Sequence, residues 1–90
     1  MANLKRTIAQ YARDVRSEGG SALPELSLDE LDAVIAGRAS PVILSRFATG
    51  WKATRRAAWA AGATWAMQDG LSDAQLKEIF ERTRNGPAEK

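Results

Sequence analysis

Twice in this chain the same six-residue phrase opens a helix. In Leu26-Ser27-Leu28-Asp29-Glu30-Leu31, Ser27 can cap free backbone amides, Glu30 can bond back to it, and Leu26 can staple onto Leu31. Leu71-Ser72-Asp73-Ala74-Gln75-Leu76 repeats the logic, with Gln75 reaching back and Leu71 facing Leu76. The likeness stops at the cap, so it is shared capping chemistry and not an internal duplication. Ser40-Pro41 supplies a further start, a cap followed by a first-turn proline.

Between these starts the apolar residues recur at three- and four-residue steps. Leu4, Ile8, Tyr11, Ala12 and Val15 share one side of a helix over 3–17, followed by a loop over 17–25 that carries Gly19, Gly20 and Pro24. The second helix buries Leu28, Leu31, Val34 and Ile35 and ends at Gly37 in the left-handed conformation. The third persists until Asp69-Gly70, and the fourth buries Leu76, Ile79 and Phe80 before Gly86-Pro87 ends it. Ninety residues hold one domain at most. The expected fold is all-α: a small single-domain bundle of about four helices over residues 1–86, with one long central helix at about 41–69 and a frayed tail at 87–90.

A continuous helix of that length measures about 42 Å, longer than the bundle that the other helices could build around it. Either it breaks near Gly50 or a second copy packs along it as a homodimer. Two patterns favour the homodimer. Leu44, Trp51, Ala58 and Trp65 form a heptad-spaced stripe with Phe47 and Ala61 beside it. Gly50, Thr54, Ala58, Gly62 and Ala66 form a four-residue ladder of small side chains, a candidate dimer or close-packing seam. Thr54 is the largest rung, and its hydroxyl can bond back to the carbonyl of Gly50. Either pattern alone also describes core contacts within one protomer.

The 36 residues from 33 to 68 contain no Asp or Glu, yet hold Arg38, Arg46, Lys52, Arg55, Arg56 and all three tryptophans. At 100° per residue Trp51 and Trp65 follow the apolar stripe, whereas Trp59 sits about 100° from its centre, among Lys52, Arg55 and Arg56. Trp59 is therefore the candidate anchor of a partner-binding surface, with Lys52, Arg55 and Arg56 as electrostatic contacts and Arg46 at its periphery. An equal reading puts Trp59 at the edge of the core with the arginines stacked on its indole.

Chemistry is narrowed by what is missing. Without Cys or His there are no disulfides, thiolate metal sites, imidazole ligands or usual general base. No two carboxylates sit in apolar surroundings that would raise a pKa, so the chain is not expected to be an enzyme. No cofactor or metal is expected: Gly19-Gly20 lacks the lysine-bearing helix start of a phosphate loop, and Asp29 with Asp32 reads as a solvated pair. The N-terminal residues alternate apolar side chains with charges, and the weakly polar run 57–67 is about half a membrane span. No membrane partner and a cytoplasmic location are expected.

What remains is binding. A protein partner suits the aromatic anchors and the separated charge blocks, and makes the chain a small regulator or inhibitor of the type that phages and plasmids use against a host enzyme or defence complex. The alternative is a DNA- or RNA-binding transcriptional regulator that uses the same basic flank. Against it, the N-terminal end of helix three reads Val42, Ile43, Leu44 where a recognition helix carries base-reading polar groups. The acidic run Glu25, Asp29, Glu30 and Asp32 is a second possible working face, although acids in a first helical turn also serve the helix dipole.

Overall fold

The computed structural model describes residues 4–84 and contains α1 at Leu4–Ser17, α2 at Leu28–Ala36, α3 at Pro41–Ala60 and α4 at Asp73–Arg82, with no strand among the described residues. The all-α bundle expected from the capping phrases is what forms. The Ser27 hydroxyl accepts the Glu30 amide at 3.1 Å while the Glu30 carboxylate accepts the Ser27 amide at 2.9 Å. Ser72 and Gln75 exchange the same two bonds at 3.1 and 3.0 Å. Ser40 accepts the Ile43 amide at 3.3 Å ahead of the first-turn Pro41.

Three of the helices end alike. At Gly19, Gly37 and Gly62 the backbone turns left-handed, with φ of 91°, 74° and 112°. Each time the glycine amide and the one after it bond back into the last turn: Gly19 to Arg16 and Gly20 to Val15, Gly37 to Val34 and Arg38 to Ala33, Gly62 to Trp59 and Ala63 to Ala58. This is the Schellman exchange, and only a residue without a Cβ enters it freely.

The third of these stops corrects the expected long helix. α3 passes through Gly50 unbroken but ends at Ala60, well short of Asp69. Residues 61–68 instead form successive turns, with the Thr64, Ala66 and Gln68 amides donating to Gly62, Ala63 and Trp65. At 20 residues α3 is about 30 Å long. The molecule itself extends 34 Å, so no overhang is left for a second copy to cover and the length argument for a homodimer falls. α4 ends at Arg82, with the Thr83 hydroxyl donating to the Ile79 carbonyl at 2.8 Å. Asn3, the Gly86-Pro87 stop and the expected tail at 87–90 lie outside the described residues.

The larger core joins Ile8, Ala12 and Val15 of α1, Leu31 and Val34 of α2, Phe47 of α3 and Phe80 of α4. Leu23 and Leu26 enter it from the loop between α1 and α2. They fill the space beside Leu31 and leave Leu28, expected in the core, 43% exposed. Arg16 holds this loop by donating one guanidinium nitrogen to the carbonyls of Ala22, Leu23 and Leu26, at 3.2, 3.2 and 2.7 Å. A smaller core of Ala58, Ala63, Ala66 and Ile79 closes the other end of α3, and Trp51 packs against both.

Candidate partner-binding face

The small-residue ladder is close packing, but what comes close is the chain's own loops. A Cβ on Gly50 would stand 2.8 Å from a carboxylate oxygen of Glu25 and 3.2 Å from Leu23, both in the α1–α2 loop. Thr54 is 3% exposed and its hydroxyl donates to the Gly50 carbonyl at 2.9 Å, as its position four residues on allows. Ala58 is covered by the turns that follow α3. Gly62 ends the helix and Ala66 lies beyond it, so neither is a rung. The buried rungs are filled within one protomer. The heptad stripe is shortened in the same way: Leu44, Phe47, Trp51 and Ala58 pack inward from α3, Trp65 does so from the turn segment, and Ala61 is exposed.

The cations that surrounded Trp59 on the helical projection divide into two groups. Arg46 lies against the α2 capping box, with Nη2 at 2.6 Å from one Glu30 oxygen and Nη1 at 3.4 Å from the other. The Ser27 amide and then Arg46 hold the Glu30 carboxyl below the ordinary carboxylate range. Arg55 is held more firmly. Its Nε donates to the Ala66 carbonyl at 2.7 Å, a second nitrogen donates to the Gln68 carbonyl, and the guanidinium sits 6.0 Å from the Trp51 ring. The indole that an arginine faces is therefore Trp51, not Trp59. Arg46 and Arg55 thus differ from the other two cations in that each already bonds within the fold.

Lys52 and Arg56 make no salt bridge or side-chain hydrogen bond among the described residues and are exposed, and Trp59 is 51% exposed. Trp59 follows Arg56 by three residues and Lys52 by seven, so all three occupy one strip of α3. That strip also carries Ser45 and Thr49, both exposed, and no acid. Across the fold the arginines tell the same story as Arg55. Arg13 pairs with Asp32, Arg84 with Glu18, and Arg82 with Glu78 while also donating to the Ala61 carbonyl at 2.9 Å. Much of the basic excess seen in the sequence is thus engaged internally, often on backbone carbonyls that no residue-type pattern reveals.

Arg55 consequently has a structural role that can be separated from charge. Arg55→Lys keeps the cation but cannot span both carbonyls, and the loss of charged hydrogen bonds is expected to lower stability by about 1–3 kcal/mol. Arg56→Lys, with nothing to hold, is expected to stay within about 0.5 kcal/mol of the parent. Urea titration of both variants checks this, and equal midpoints would remove Arg55 from the turn's support.

No described helix is long and apolar enough to cross a membrane. Comparison with protein-family models, with curated proteins and with solved structures finds no match to this chain.

Proposed function

We propose that this chain is a non-enzymatic binding protein that acts as a regulator or inhibitor by docking the outer strip of α3 on a protein partner. One observation carries the reading: a half-exposed Trp59 stands in line with Arg56 and Lys52, two cations that have no internal partner among the described residues. Tryptophan and arginine are the side chains that most often dominate binding energy when an interface closes over them. Trp59 belongs to neither core, whereas Trp51 and Trp65 pack against them. Lys52 and Arg56 would steer an acidic surface towards it. A small helical protein of this size that blocks a host enzyme or defence complex, as phage- and plasmid-borne regulators do, fits these features.

The same strip is a weaker match to nucleic acid. Each phosphate neutralised contributes only about 0.9 to the salt slope, so two free cations give an attraction that fades by physiological salt unless base stacking on Trp59 rescues it. The experiment is a paired one. Quantitative capture from the native host with the parent and with Trp59→Ala is expected to show a protein retained by the first and weakened at least about 30-fold for the second, at unchanged helix content. Retention of labelled DNA or RNA at physiological salt, lost in Trp59→Ala, would replace the protein reading with the nucleic-acid one. Identical capture by both would take Trp59 out of the site.

A further inference from the structure

α1 packs on α2 and α4, and α3 packs on the same two helices from the other side, so α1 and α3 face each other without backbone contact. Between them runs an open groove of about 400 Å³. Its floor is apolar: Ile8 from α1, and Phe47 and Trp51 from α3. Its walls are basic, with Lys5 on the α1 side and Lys52 on the α3 side next to Arg55, whose guanidinium is held by the turn carbonyls, and no acid among the described residues lines it. Lys5, like Lys52, has no salt-bridge partner among the described residues. The first acid in that direction is Asp69, which lines the adjoining hollow beyond Trp51 and Arg55.

We infer that this groove receives an amphipathic helix of the partner whose apolar stripe is flanked on both sides by Glu or Asp. The inference rests on the protein-partner reading above and adds the partner's chemistry. Cations on both walls call for acids on both flanks, and an apolar floor between them calls for an apolar stripe. The α3 wall from Phe47 to Arg55 is about 12 Å long, or two turns of a docked helix. Lys52 belongs to both the groove and the outer strip, and Trp59 stands two turns beyond it. One docked helix can therefore sink its apolar side chains between α1 and α3 and run on to meet Trp59.

The test uses an isotope-labelled sample of the whole chain and three synthetic amphipathic peptides that share a leucine stripe and carry glutamate, glutamine or lysine on its flanks. The glutamate peptide is expected to shift the amides of Lys5, Ala48 and Lys52 saturably, and to bind at least about tenfold more tightly than the glutamine peptide. Ala48 lines the groove, is exposed and lies outside both cores, so Ala48→Trp fills the groove and Ala48→Glu sets a carboxylate among its cations without loss of packing. Each is expected to weaken the glutamate peptide about tenfold or more. Equal binding of the glutamine or lysine peptide, shifts centred away from the groove, or full binding by Ala48→Trp overturns the inference. Concentration-dependent shifts at the same amides without peptide would make a second copy the occupant and overturn it as well. Because no native partner is used, failure here leaves the Trp59 experiment standing as the separate test of the binding role.

Discussion

Phe80→Ala is expected to lower the thermal midpoint by at least about 12 °C, since deleting a buried Phe costs about 3–5 kcal/mol and each kcal/mol shifts a domain of this size by about 4–8 °C. Phe80 is 2% exposed and sits on α4, yet its ring meets side chains from two other helices. Trp51 of α3 stacks on it at 5.6 Å between centroids with 27° between planes, and Tyr11 of α1 leans on it at 6.3 Å. Truncation would leave a cavity where three helices converge and would undo two aromatic pairs, each worth about 0.5–1.5 kcal/mol beyond its buried area. Domains of this kind hold only about 5–15 kcal/mol in total, so a large share of the stability hangs on one ring. Circular dichroism during heating measures it, with Phe80→Leu as the companion that keeps burial and loses only the ring. A fall of less than a few degrees in Phe80→Ala would mean that Trp51 and Tyr11 collapse into the gap and that the three-helix junction is not as described.

Gly20→Ala is the second large effect, and it arises from crowding instead of loss. A Cβ at Gly20 would lie 2.6 Å from a methyl of Val15 and 2.9 Å from both the side chain and the carbonyl oxygen of Arg84. The methyl and the Arg84 side chain can shift a little. The carbonyl cannot, because it accepts the Ser21 amide and so ties the end of α4 to the loop after α1. Overpacking of this kind costs about 1–3 kcal/mol, and the backbone clash puts Gly20→Ala at the upper end. Gly50→Ala is the control. Its tightest contact is the far end of the exposed Glu25 side chain, with a methyl of Leu23 at 3.2 Å that must give by a few tenths of an ångström, and the helix gains about 1 kcal/mol from replacing glycine by alanine in α3. Urea midpoints at unchanged m-values are expected to separate the two by about 2 kcal/mol or more. Coincident midpoints would show that the α4 end yields freely and does not pin the loop.

How much of this was written in the sequence depends on the range of the interaction. Caps act over three residues, so Ser27 with Glu30, Ser72 with Gln75, and Ser40 with Pro41 could be read directly, as could the stop at Gly37. Gly62 fitted two patterns at once, a small rung four residues after Ala58 and a left-handed stop. What decides between them is Ala63 packing back on Ala58 together with Arg55 reaching carbonyls 11 and 13 residues ahead, which are tertiary facts. A glycine followed by an apolar residue was the available signal for that stop. The face divided in the same way. Helical angle alone brought Lys52, Arg55, Arg56 and Trp59 together with Arg46 at the periphery, and it could not show that Arg55 holds carbonyls of the following turns or that Glu30, 16 residues earlier, pairs with Arg46. A residue type reveals charge, and only the fold reveals whether that charge is already engaged. The groove was invisible for the same reason, since Lys5 and Lys52 belong to helices that meet only in three dimensions.

The three indoles occupy three different settings: Trp51 against Phe80 between the two cores, Trp65 on the turns that Arg55 holds, and Trp59 at the outer strip. Each therefore senses a different event by its emission. Global unfolding strips Trp51 of its aromatic neighbour, a local opening of residues 61–68 hydrates Trp65 while the Trp51–Phe80 stack stays in place, and a partner docked on the outer strip as proposed would cover Trp59, which belongs to neither core. In proteins that keep one tryptophan at a time, with phenylalanine at the other two positions, melting, loop release and recognition become separately visible as three colours of the same fluorescence.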